Sequence, residues 1–437
     1  MIHTFKLGDV HAVLDVNSGS VHMVDEIVYD ILNKQATGKY SEDEIHEAGL
    51  EIEELRREGL LDSPAAVEDY RPEFNKPVVK AMCLHVAHDC NLRCKYCFAN
   101  TGDYEGSREL MPLETAKQAL LFLVQNSENR HNLEVDFFGG EPLLNFDVVR
   151  GAVEYGRELE KQYDKNIRFT ITTNAYHVTD EMADFINAEM KNLVISIDGR
   201  RDVHDAMRPN AAGAGSYEKV LSNSRKLIGG RGGKEYYIRG TYTNQNTDFS
   251  RDVMAIADAG FDQVSVEPVV DAGELSITEA DLPQIFSEYE KLAGLYLQRK
   301  KEGRPFHFFH FMIDLESGPC LNKRLRGCGA GSEYIAVTPN GDMYPCHQFA
   351  GVGEFYMGNI FENKKNEEIG KRFAECHVFS KEKCADCWAK YYCSGGCFAD
   401  AYFTNNDIAK PNRLSCEIEK KRVETAIVLK IMAEAGK

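Results

Sequence analysis

The sequence predicts an α/β fold on a parallel sheet, preceded by a small domain and followed by a cysteine-rich one. Three observations carry this. Between Pro77 and about Arg304, apolar runs alternate with helical patterns, the order that buries a parallel sheet beneath crossover helices. Straight after the first of those runs come Cys90, Cys94 and Cys97, spaced x3 and then x2. Past Arg304 the alternation ends and cysteines crowd the chain. With 437 residues it exceeds a single small core and implies two or three domains.

The first 70 residues read as a unit. Alternating runs at Met1–Leu7, His11–Asp15 and Ser20–Val24 predict strands joined by turns at Gly8-Asp9 and Asn17-Ser18-Gly19. Three helices follow: Glu26–Leu32, a second opened by the capping box Ser41 to Glu44, and Glu51–Gly59. This order resembles that of a winged helix. Ser63–Pro77, with its prolines and mixed charges, reads as a linker.

Strands are expected at Val78–Val86, Leu133–Phe138, Ile167–Thr173, Leu193–Ile197, Tyr236–Thr243 and Gln263–Val266. Helices are expected near Leu113–Gln125, Phe146–Gln162, Thr179–Ala188, Tyr217–Ile228, Phe249–Ala259 and Thr278–Lys301. Parallel α/β sheets place their chemistry at the carboxyl ends of the strands. At those ends stand Gly139-Gly140-Glu141, Thr172-Thr173-Asn174 and Ser196-Ile197-Asp198-Gly199, with Arg208 shortly after.

Charge and hydropathy bound the partners. A net charge of −18 opposes nucleic-acid binding, which needs Lys and Arg against phosphate. No signal-peptide pattern and no 18-residue apolar run occurs, so a cytoplasmic protein without a membrane span is expected. In a reducing compartment, thirteen cysteines read as metal ligands rather than disulfides. A four-iron cubane asks for four thiolates, and the first loop offers three, leaving one corner open. Structural zinc would want four closed ligands in paired CxxC elements.

The CxxxCxφC pattern, with Tyr96 as its aromatic φ, resembles the signature of the radical S-adenosylmethionine (SAM) superfamily. That resemblance implies a partial (β/α)6, TIM-like barrel over residues 77–304. It also implies a [4Fe-4S] cluster on Cys90, Cys94 and Cys97 whose open iron binds SAM. Reductive cleavage of SAM would then give a radical that abstracts hydrogen from substrate. By the same resemblance Gly139, Gly140 and Glu141 form the GGEP motif, whose backbone contacts the SAM amino group. Asn174 and Ser196 are candidates for the ribose, and Arg208 for the SAM carboxylate, which suits a guanidinium fork.

After residue 304, Cys328, Cys346, Cys384, Cys387, Cys393, Cys397 and Cys416 are spaced around an Asn340-Gly341 turn between two apolar runs, a hairpin signal. This arrangement resembles the SPASM domain, expected over residues 305–437, which holds two auxiliary [4Fe-4S] clusters. The resemblance assigns Cys384, Cys387, Cys393 and Cys416 to one. It assigns Cys328, Cys346 and Cys397 to the other, where either Cys320 is the fourth ligand or an iron stands open to a substrate thiolate. Cys83 and Cys376 match no position and read as buried small hydrophobes. Anaerobic sulfatase-maturing enzymes carry an aspartate after the second SPASM cysteine. Here that residue is His347, which speaks against formylglycine formation.

The whole chain resembles the radical SAM/SPASM peptide maturases that form thioether crosslinks (sactipeptide and ranthipeptide type), those of six-cysteine (SCIFF) peptides most. Residues 1–70 would then act as a RiPP recognition element, capturing the leader of a ribosomally made precursor peptide by strand addition. Flavodoxin or ferredoxin would supply electrons. C–C or ether crosslinking and Ser or Cys oxidation share the same motifs; a metal-binding peptide scaffold without redox activity is the alternative of another class.

Overall fold

The computed structural model describes residues 1–64, 78–104, 106–315, 321–362 and 364–435. Strands β1 (Ile2–Leu7), β2 (Val10–Asp15) and β3 (Val21–Val24) form an antiparallel sheet in that order, and helices α1 (Glu26–Leu32) and α2 (Glu42–Arg57) cover it. One long helix replaces the two expected after Ser41. The capping box fixes its start, and the buried pair Ala48 and Ile52 keeps its apolar stripe continuous across Gly49. A mid-helix glycine costs only about 1 kcal/mol, too little to break a helix packed on a core. The expected linker falls mostly on residues 65–77, outside the described residues.

The main sheet has ten strands. Its elements are β4 (Ala81–His88), β5 (Glu109–Leu110), α3 (Leu113–Gln125), β6 (Asn132–Gly139), α4 (Phe146–Tyr163), β7 (Asn166–Thr173), α5 (Asp180–Glu189), β8 (Asn192–Ser196), α6 (Arg201–Met207), α7 (Tyr217–Gly229), β9 (Glu235–Tyr242), α8 (Ser250–Asp258), β10 (Gln263–Pro268), α9 (Leu282–Lys301) and β11 (His307–Phe308). From β4 through β6 to β11 the strands lie side by side in chain order and run parallel. Each crossover helix buries its apolar stripe on the sheet, as Val149, Ala152 and Val153 of α4 do. All six expected strands are present, and β11 adds a seventh.

The cysteine-rich region contains α10 (Leu321–Arg326), β12 (Tyr334–Val337), β13 (Met343–Tyr344), α11 (Glu367–Glu375), α12 (Lys390–Cys393), α13 (Phe398–Asn405) and α14 (Arg413–Ala435). The expected hairpin is β12 and β13, antiparallel, with Gly341 at φ +91° in its turn. That region is no separate layer: β12 pairs parallel with β4 and continues the main sheet, which ends at β11 and β13. Helix α14 runs back to the N-terminal sheet. There Val423, Ile427 and Val428 pack on Phe5 and Leu14, and His3 stacks on Trp388 with ring centroids 3.8 Å apart. Among the described residues no helix is long and apolar enough to cross a membrane.

Candidate active site

Strand β4 hands the chain to Asp89, and the loop of three cysteines begins. Its backbone is pinned by the segment after α6: Arg93 N–H donates to the Pro209 carbonyl at 2.8 Å and Lys95 N–H to that of Met207 at 2.9 Å. So held, Cys90, Cys94 and Cys97 line one wall of a cavity of about 430 Å³, within the range of small-molecule sites. Asn174 Nδ2 stands 3.5 Å from Cys90 Sγ, and Arg208 Nη1 3.9 Å from Cys94 Sγ. Burial pushes the Cys90 thiol up to about 12, with the Glu141 carboxylate adding to it. Burial likewise pushes Cys94 up to about 11, against the pull of Arg208. Such thiols give up their protons only when a metal replaces them.

The glycines after β6 are fixed by this loop. A Cβ on Gly139, at φ +121°, would lie 2.2 Å from the Ala87 carbonyl oxygen, and one on Gly140 would lie 2.2 Å from that of Asp89. Only glycine lets the two loops touch. Gly139, Gly140, Asn174, Ser196, Arg208 and Tyr96 all line the cavity. The Glu141 carboxylate is engaged within the protein. It accepts from Thr173 Oγ1 at 2.7 Å, Asn174 N–H at 2.8 Å and Leu143 N–H at 3.0 Å. It ties the ends of β6 and β7 together, and burial raises its carboxyl to about 7. A second tie was not assigned from sequence: buried Asp198 accepts from the Tyr96 hydroxyl at 2.7 and 2.8 Å and from Arg208 Nε at 3.0 Å. One carboxylate thus sets both the aromatic of the cysteine motif and the guanidinium beside it.

The opposite wall carries Arg239, Glu267, His347 and Cys397. Burial, with Arg239 adding, lowers His347 to about 4, so its ring is neutral at pH 7. Tyr334 OH lies 3.2 Å from His347 Nδ1. The C-terminal thiols influence one another electrostatically in two groups. Burial raises Cys346, and the nearby thiolates of Cys397 and Cys328 raise it further. Cys393 is raised by burial and then by Glu419, Cys416, Cys384 and Cys387. Cys320 lies outside the described residues. Cys83 and Cys376 are buried, as expected. Among the described residues no three histidine, cysteine or acidic side chains converge to hold a single metal ion, as zinc with ligands at ~2.3 Å would require.

The Radical SAM superfamily model matches residues 84–231, and that of the SPASM iron–sulfur cluster-binding domain matches 328–388. An uncharacterized protein of Methanocaldococcus jannaschii is 35% identical over 295 residues, covering 66% of this chain and 91% of that protein. The chain carries a radical SAM domain and a SPASM domain. Its radical SAM domain binds SAM and a four-iron cluster, and its SPASM domain binds auxiliary iron–sulfur clusters. The cysteine-type anaerobic sulfatase-maturating enzyme of Clostridium novyi is 28% identical over 327 residues, 71% of this chain and 85% of that enzyme. The solved structure of native anSMEcpe with bound AdoMet shares the fold, with TM-score 0.66 at 19% identity, over 82% of this chain and all of that one.

Proposed function

We propose that this radical SAM/SPASM enzyme matures a ribosomally made, cysteine-rich precursor peptide by joining a cysteine sulfur to a carbon through a thioether. The observation that carries this reading is that Cys397 and His347 face the same cavity as Cys90, Cys94 and Cys97. The SAM site and the set of Cys328, Cys346 and Cys397 therefore open on one reaction space. Bound SAM and its reduced cluster supply a radical that takes a hydrogen atom from substrate.

The protein's own residues arrange the rest. Cys90, Cys94 and Cys97 hold the first cluster and leave one iron to SAM. Gly139, Gly140, Asn174, Ser196 and Arg208 orient SAM, Arg208 being set by Asp198. Cys384, Cys387, Cys393 and Cys416 hold one auxiliary cluster. Cys328, Cys346 and Cys397 would hold the other; completed by Cys320 it would serve electron transfer, and without Cys320 it would offer a site for a peptide thiolate. In the reaction the thiol loses its proton, the acceptor carbon loses a hydrogen atom and the C–S bond forms; the auxiliary clusters, when bound, would take the surplus electron. Among the described residues strand β3 pairs with a strand only on its β2 side, so a leader peptide can add along its other edge and concentrate the core peptide at the cavity. A low-potential flavodoxin or ferredoxin provides the first electron.

The relative from Clostridium novyi, a maturase of another protein, supports a peptide substrate; histidine in place of a carboxylate after Cys346 favours the thioether over formylglycine. Mass spectrometry of precursor treated with reconstituted enzyme, SAM and reductant tests the proposal. Each crosslink removes one hydrogen from the thiol and one from the acceptor carbon and blocks alkylation of that cysteine. SAM cleavage with an unchanged peptide mass would refute it.

A further inference from the structure

One wall of the cavity is accounted for by the thiols and the residues that face SAM. The other contains an ion pair that none of those roles uses. Arg239 on β9 and Glu267 on β10 point to the same face of neighbouring parallel strands, and Arg239 Nη2 donates to Glu267 Oε2 at 2.7 Å. Arg239 is in register with Ser196, so the pair begins one strand beyond the ribose candidate.

The pair is braced from behind. Ser265 Oγ donates to Glu267 Oε1 at 3.2 Å, and His310 Nε2 stands 3.9 Å from the same oxygen. Arg422 of α14 donates to His310 Nδ1 at 2.8 Å. That leaves the ring proton on Nε2, directed at Ser265 and Glu267. Arg422 is itself paired with Glu419. Arg239, with Arg422 adding, holds the Glu267 carboxyl down at about 2 against its burial, so it stays ionised. Desolvating an ion pair is costly, and a pair kept only for stability would be closed off. Here the front stays open: the side chains of Arg239 and Glu267 are 49% and 32% exposed, and both line the cavity.

A guanidinium with N–H groups to spare beside a carboxylate with free lone pairs offers a donor and an acceptor side by side. A peptide unit presents the complement, a C=O beside an N–H. We propose that Arg239 and Glu267 form a subsite that clamps the backbone amide of the residue whose carbon is attacked, fixing it next to the SAM end of the cavity. This rests on a peptide being the substrate, not on the bond that is formed.

The test is binding of a fluorescein-labelled cysteine-containing peptide that the enzyme modifies, compared with the same peptide N-methylated at the modified residue. Measurements use the iron-loaded enzyme with SAM present. Removing a charge-assisted hydrogen bond weakens binding roughly ten- to a hundredfold. Arg239→Ala and the isosteric Glu267→Gln should each weaken the unmethylated peptide by that order, with Arg239→Lys recovering part of it. The methylated peptide should bind weakly to wild type and lose little more in Glu267→Gln. In turnover, the peptide KM should rise while the SAM KM stays near wild type. If the SAM KM rises in step, Arg239 is a SAM contact and the proposal falls; it falls too if both variants bind the two peptides as wild type does. A product other than a thioether would overturn the functional reading and leave this subsite standing, because peptide affinity is what is measured.

Discussion

The two thiol regions of this enzyme are built differently. Cys90, Cys94 and Cys97 occupy one short loop whose shape is imposed from outside, by β4 before it, the Met207–Pro209 segment beside it and the Gly139-Gly140 turn against it. The C-terminal sets draw on distant pieces: the β12–β13 hairpin, the four-residue helix α12, the entry to α13 and the body of α14. The first region borrows its rigidity from a parallel sheet. The second has little regular structure of its own, so its metal must supply much of its folding free energy.

That contrast can be broken by stripping iron anaerobically. The largest expected effect is that residues from about 328 to 416 become protease-sensitive while fragments of the β4–β10 sheet stay protected, read by limited proteolysis with mass mapping. Uniform protection would show that the C-terminal block stands without its clusters. A smaller effect sharpens the other half. Gly139→Ala puts a methyl where the Ala87 carbonyl already lies and a side chain at φ +121°. We expect a loss of about 1–3 kcal/mol in unfolding free energy, with less iron bound at the first loop than at the C-terminal sets. The smallest effect is in pH. Burial lifts Glu141 from the ordinary 4.5 to about 7, so between those values the folded chain binds more protons than the unfolded one. Stability of the metal-free protein should therefore fall as pH rises from about 4.5 to 7, and Glu141→Gln should flatten that slope in urea titrations.

Sequence legibility followed the same division. The first cysteine loop and the strand order were readable because both are local: fixed spacing in one, hydrophobic period in the other. The continuity of β12 with β4 was not, since pairing between residues 81 and 334 leaves no periodic trace. The role of the Glu141 carboxylate was not legible either, because a motif gives no side-chain direction; its partners Thr173 and Asn174 stand at the end of the next strand. Arg239 and Glu267 did leave a signal. A charged residue in the middle or at the end of a strand buried on both faces is unexpected, and both mark the inner wall of the site.

The central claim is that the thiols of Cys90, Cys94 and Cys97 support SAM cleavage while the C-terminal thiols hold clusters of their own. Deoxyadenosine release by the variant with all three replaced by alanine, scored together with its iron content, tests it most directly. The account predicts about a third less iron, one cubane of three, and no deoxyadenosine above the enzyme-free background. Deoxyadenosine formed at the wild-type rate would contradict it.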